Sequence, residues 1–199
     1  MQDAILADPV RSQAVEVIDI RYWAYTADGG LYAPNGGENL APRQHRRKTK
    51  LKPGGAAAIV RAVREYRQRF PDKAVAYYAE QNCPSVHDGW AILIGGGSLA
   101  DVPRLPDGLT RVLPQMKPVE QQTLKPNQWM LARPEGDYLF YVDSLDAAIK
   151  VELPKSDKGY QLNWIDAVSG AITKGVVLDG GRVVSLQPKA KVVWISGIE

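Results

Sequence analysis

The sequence predicts an α/β segment with parallel strands followed by an antiparallel β-sandwich. Up to about residue 117 the elements run strand, loop, helix, strand, helix, the order that lays helices across a parallel sheet. Beyond that point helical periodicity stops, and seven strand-like runs separated by turn residues follow one another at a spacing of about ten residues, as in a sandwich. Pro103 to Pro126 is proline-rich and marks the connection, dividing the chain into residues 1–117 and 118–199.

In chain order, residues 3–13 fit a short helix, and Val15 to Trp23, rich in β-branched and aromatic residues, reads as a strand. The next thirty residues hold the turn dipeptides Asp28-Gly29 and Asn35-Gly36 and no helical period; ordered loops of that length usually carry function. Pro53-Gly54-Gly55 opens a helix with Ile59, Val63, Tyr66 and Phe70 on one face and Arg61, Arg64, Glu65, Arg67 and Gln68 on the other, stopped by Pro71. Ala74 to Glu80 is a buried strand, and Asp88 to Ile94 a short helix ended by Gly95-Gly96-Gly97. The seven sandwich runs are Trp129 to Arg133, Tyr138 to Asp143, Ala148 to Leu153, Tyr160 to Ile165, Ile172 to Val177, Arg182 to Leu186 and Val192 to Ser196. Trp129, Trp164 and Trp194 lie inside these runs and are expected in the core.

The chain has 199 residues, 45% of them hydrophobic, enough for a sizeable core. No apolar run approaches the roughly 18 residues of a membrane span, and the start MQDAILADPVR lacks a basic segment followed by an apolar one. Cys83 is the single cysteine, so an intrachain disulfide is excluded; with two histidines, His45 and His87, a Cys/His zinc site is not expected. Arg43, Arg46, Arg47, Lys48, Lys50 and Lys52 fall in ten residues without an acid, and removing these six cations from a chain of formal charge +3 leaves −3. The basicity is local, which argues against a general nucleic-acid surface.

Three motifs carry candidate chemistry. Gly95, Gly97 and Ala100 fit the dinucleotide pattern G-x-G-x-x-G/A after an apolar run, but the helix it requires would have to pass through Pro103 and Pro106. A helix end with a tight turn is the expected outcome. Glu80 ends an apolar strand whose alternation puts Ala76, Tyr78 and Glu80 on one face. At the mouth of a parallel barrel such a carboxylate can attack an anomeric carbon if a protonated carboxyl stands about 5 Å away; the same residues also fit a capping or ion-paired glutamate. Arg43 and His45, preceded by Tyr22, Trp23, Tyr25 and Tyr32, combine donors with aromatic faces suited to sugar rings and carboxylates.

The blocks VIDIRYWAYTADGGLYAPNGGENLAPRQHRR, KAVAYYAEQ and DGWAILIGGGSLADVP resemble the last third of the catalytic (β/α)8, TIM-like barrel of bacterial glycoside-hydrolase-like proteins. The block from Tyr138 to Leu178, with Trp164-Ile165-Asp166, Ser169-Gly170 and a terminal Trp194, resembles the β-sandwich of collagen-binding-domain type that follows such barrels. The resemblance implies a C-terminal fragment of a retaining glycoside hydrolase acting on polysaccharide or oligosaccharide. Val15 to Trp23 would be the sixth strand, the Glu80 strand the seventh and Ser98 to Val102 the eighth. Glu80 would be the nucleophile, Tyr22, Trp23, Arg43 and His45 would line sugar sites, and no metal or organic cofactor would be needed. The implied partners are a carbohydrate substrate and the missing N-terminal barrel segment, with its acid/base carboxylate; the implied location is periplasmic or extracellular. On this expectation the chain alone is inactive, and Ile18, Ile20 and Val75 lack covering partners, leaving the N-terminal half loosely packed beside a self-sufficient sandwich. The competing expectation is a non-enzymatic carbohydrate-binding or interaction module.

Overall fold

The computed structural model describes residues 2–20, 24–25, 31–32, 55–77, 86–122, 124–134 and 136–198. The first helix, α1, spans Gln2–Ala7 and stops short of the expected residue 13. Pro9 lacks an amide proton, and the Asp8 carboxylate accepts the N–H groups of Val10 (2.9 Å) and Arg11 (3.0 Å), so the chain restarts as a 3-10 turn over Arg11–Ala14. Strand β1, Val17–Ile20, follows. A two-residue ladder of β2 (Ala24–Tyr25) and β3 (Leu31–Tyr32) lies within the stretch after it.

Helix α2 runs over Ala56–Arg69, where the period of Ile59, Val63 and Tyr66 places it, and buries those three with Ala56, Val60 and Ala62. Arg64 departs from the expected solvent face: its side chain is only 12% exposed. Strand β4, Ala74–Tyr77, runs parallel to β1 in the register Val17↔Ala74 to Ile20↔Tyr77. The Lys73 ammonium ties the entries of the two strands together by donating to the carbonyls of Ser12 (2.6 Å) and Val15 (2.7 Å). Helix α3, Val86–Ile94, ends in the turn the glycines demand, with Gly96 at φ +85°. The chain then returns to the sheet: Ser98 N–H donates to the Val75 carbonyl at 2.7 Å, and Ser98 bridges Ala76 in parallel.

The expected connection, Pro103 to Pro126, is not a bare linker. It carries α4 (Asp107–Val112), with Leu109 fully buried, and β5 (Lys117–Val119), which pairs with the next strand. All seven expected sandwich strands form: β6 Gln128–Arg133, β7 Asp137–Val142, β8 Ile149–Leu153, β9 Tyr160–Ile165, β10 Ile172–Leu178, β11 Arg182–Leu186 and β12 Val192–Gly197. Together with β5 they make a six-stranded sheet in the order β10-β9-β12-β7-β6-β5 and a two-stranded sheet of β11 and β8.

The six-stranded sheet is covered on both faces. Met130, Phe140, Val142, Leu162, Val193 and Ile195 pack against Ile149, Val151 and Leu153 of β8. Leu131, Leu139, Tyr141, Ile165 and Val192 share a second core with Trp90, Ile94 and Leu109 of the N-terminal half. Ile18, Ile20 and Val75 belong to that same core and are essentially inaccessible. This corrects the expectation that they lack cover. The missing partners are supplied by α2 and α3, and the sandwich sheet backs the helices in turn. Trp90 locks the join, its indole N–H donating to the Ala167 carbonyl at 2.8 Å.

Three buried polar side chains of the sheet find hydrogen-bond partners nearby. Asp137, 3% exposed, accepts from Arg133 Nε at 2.5 Å and from the Trp194 indole at 3.1 Å. Asn163 donates to the carbonyls of Gln161 and Trp194, and Gln128 to those of Ala147 and Ala148. Each would otherwise be a costly unpaired group. Trp164 is buried, while Trp129 and Trp194 are half-buried against the second core, Trp129 stacked on Tyr141.

Candidate functional site

The parallel strands determine where a site can form. In β1 and β4, Ile18, Ile20, Val75 and Tyr77 share one face by alternation and register, and Ile18, Ile20 and Val75 are buried. The opposite face carries Val17, half-exposed, Asp19, half-buried, and Ala76. The described parts of the two strands stop level with each other at Ile20 and Tyr77, and Ser98 joins next to Ala76, so three consecutive parallel segments are aligned. In parallel α/β sheets the C-terminal strand edge is where ligands bind, because the loops leaving it converge there.

Tyr22 and Trp23 come two and three positions after Ile20 in the sequence, and Glu80 three after Tyr77. All three lie outside the described residues, as do Arg43 and His45, Cys83 and the basic run from Arg43 to Lys52. The glycine motif is placed: the apolar run before Gly95 is helix α3, not a strand, so the glycines close a helix C-terminus where a dinucleotide loop would have to open a helix N-terminus.

Asp19 belongs to none of the three sequence motifs. It is register partner of Ala76, and therefore on the face that alternation assigns to Glu80. The signal was present in Val17-Ile18-Asp19-Ile20, an acid in the middle of an apolar strand. Among the described residues no group of three or more His, Cys, Asp or Glu side chains could hold a metal ion, and no helix is long and apolar enough to cross a membrane.

Parallel strands joined through helices and set against a two-layer β-sandwich define the class, an α/β segment fused to an all-β unit. The chain belongs to the family described as Domain of unknown function (DUF6298), whose family model matches residues 1–116, more than half of the 199. No curated protein matches the chain. Among solved structures it is similar to a Paenibacillus polymyxa xyloglucanase from glycoside hydrolase family 44, at 14% identity and a TM-score of 0.41. All of this chain aligns, and it spans 50% of that one.

Proposed function

We propose that residues 1–117 are the closing part of a (β/α) barrel of glycoside-hydrolase type, that residues 118–199 are its accessory sandwich, and that Glu80 is the nucleophile of a retaining mechanism on polysaccharide or oligosaccharide. One observation supports the reading: β1, β4 and Ser98 stand as successive parallel segments connected through α2 and α3. In sequence, Tyr22, Trp23, Arg43 and His45 fall between β1 and α2, and Glu80 between β4 and α3.

The chemistry sets the rest. A retaining hydrolase forms a glycosyl ester on one carboxylate while a second carboxyl, about 5 Å away, protonates the leaving oxygen and later activates water. Glu80 would be the first; the second would be supplied from outside these three strand segments, and on this reading the chain alone would lack a complete pair. Aromatic Tyr22 and Trp23 would stack on sugar faces, and Arg43 and His45 would donate to hydroxyl or carboxylate groups. A polysaccharide-cleaving enzyme of this design would work in the periplasm or outside the cell.

The test is an assay of the purified 199-residue chain, and of the same chain joined to any upstream barrel segment, against a polysaccharide panel. The expected result is turnover only in the joined form, lowered by several orders of magnitude in Glu80→Gln, because an amide cannot form the ester. Turnover that survives Glu80→Gln removes Glu80 as nucleophile. Sugar binding without turnover in either form favours the non-enzymatic module.

A further inference from the structure

A second site lies away from the strand ends. An open cleft of about 320 Å³ between α2 and the entry to β6 is lined by Arg64, Glu120, Gln121, Lys125, Asn127 and Trp129, among others, a size at the lower end of small-ligand pockets. Arg64 stands in its wall with its side chain 12% exposed, and two of its guanidinium nitrogens, Nε and Nη2, are buried without a hydrogen bond. Its third, Nη1, faces Glu120 Oε1 at 3.7 Å, too far for a hydrogen bond, and the Glu120 side chain is 80% exposed. Burial pulls the Arg64 pKa below its ordinary value, and Glu120 only partly opposes this. The cation is therefore under-compensated where it sits.

The two unpartnered atoms are not an arbitrary pair. Nε–H and the Nη2–H beside it form one edge of the planar guanidinium, two parallel donors spaced to meet both oxygens of a carboxylate. Counting Arg64 and Lys125 against Glu120, the lining carries one net positive charge, which suits a monoanion; a phosphate dianion would leave Glu120 repelling uncompensated charge. Trp129, held by its stack on Tyr141 with ring centroids 5.9 Å apart, gives the cleft a fixed apolar wall beside the cation.

We propose that this cleft binds the monoanionic carboxylate of a small organic ligand, received side-on by Nε and Nη2 of Arg64, with Lys125 at the rim and Trp129 against the ligand's body. Both nitrogens are closed to water in the present conformation, so the Arg64 side chain turns toward the cleft as the carboxylate enters and exposed Glu120 swings aside. The proposal is independent of the hydrolase reading, since no residue of that site takes part.

The experiment titrates the full 199-residue chain with sodium D-glucuronate, sodium propionate and D-glucose by NMR or calorimetry. Both carboxylates are expected to bind, in the millimolar range usual for so small a contact, and glucose not to. Similar affinity for the two carboxylates assigns the site to the carboxylate alone; tighter glucuronate adds the sugar ring on Trp129. Arg64→Lys, which keeps the charge and loses the fork, should weaken binding roughly tenfold. Glu120→Gln, a change at an exposed side chain that leaves folding alone, should tighten it several-fold. A merely structural Arg64 would not produce that gain, and it decides the matter if Arg64→Lys fails to fold. Absence of carboxylate binding, equal binding of glucose, or an affinity indifferent to Glu120→Gln overturns the proposal.

Discussion

In β8 every second residue is buried, Ile149, Val151 and Leu153, while Lys150 and Glu152 face solvent; in β7 all six positions from Asp137 to Val142 are buried. The two strands belong to neighbouring sheets of one sandwich, and the difference reports what stands behind each. β8 has a core on one side and water on the other, the arrangement that writes alternation into a sequence. β7 has Tyr138, Phe140 and Val142 in the inter-sheet core and Leu139 and Tyr141 in the core shared with α3 and α4. Its continuous apolar run is the imprint of a third layer. The N-terminal segment is thus a covering layer of the central sheet, and the sheet in turn covers the helices beside Ile18, Ile20 and Val75.

The sharpest way to break this comparison is to remove the residue that joins the layers. Trp90→Ala deletes a fully buried indole and its bond to Ala167, and should cost about 3–5 kcal/mol. Amide exchange should lose protection both in residues 17–20 and around residues 165–167; loss confined to the N-terminal side would show that the layers are stable separately.

Leu139→Ala, on the shared face of β7, should cost about 2–5 kcal/mol and loosen α3 in the same exchange experiment. Val151→Ala in β8 should be felt only between the two sheets, leaving α3 protected. Equal exchange profiles for the two variants would remove the distinction between one-sided and two-sided strands. Gly89→Ala probes the same layer from its helix: a Cβ there would lie 1.7 Å from the Asp101 carbonyl oxygen, so α3 must move off the following segment. The expected cost is about 1–3 kcal/mol, read from the denaturant midpoint.

A pH titration sharpens the comparison on the inter-sheet side. Burial first, then Tyr160 and Asp137, push the Tyr138 hydroxyl up to about 12. A raised pKa means the folded state holds the proton longer than the unfolded chain does. That stability is fully present below pH 10 and is lost as pH rises through 12. Thermal unfolding should show a falling midpoint above pH 10, flattened in Tyr138→Phe; an unchanged alkaline limb in that variant would assign the effect elsewhere. The smallest effect belongs to the outer sheet's surface. Arg182→Ala breaks an exposed pair with Asp179 at 2.8 Å and should change stability by about 0–1 kcal/mol, less at high salt.

Local order was legible in the residues. The period of Ile59, Val63 and Tyr66 located α2, alternation and turn residues located all seven sandwich strands within two residues at each end, and the glycines after Ile94 located the end of α3. Each depends on neighbours a few positions apart, bonded along one helix or one strand. The parallel order of β1, β4 and Ser98 was also implied, because strand and helix alternated. Glu80, Tyr22, Trp23, Arg43 and His45 stand in the sequence as candidates for the strand-end site, outside the described residues.

What only the tertiary structure decided involves partners distant in the chain. Arg64 has the spacing of a solvent-facing helix residue, yet Glu120 and the cleft stand beside it. Pro103 to Pro126 has the composition of a linker, yet Leu109 seals a core and β5 extends a sheet. Trp90 meets Ala167 across 77 positions. A continuous apolar run such as Tyr138 to Val142 says that both faces are covered but not by what, since burial responds to any apolar neighbour. The identity of that neighbour is set by the whole chain's packing, which no local period records.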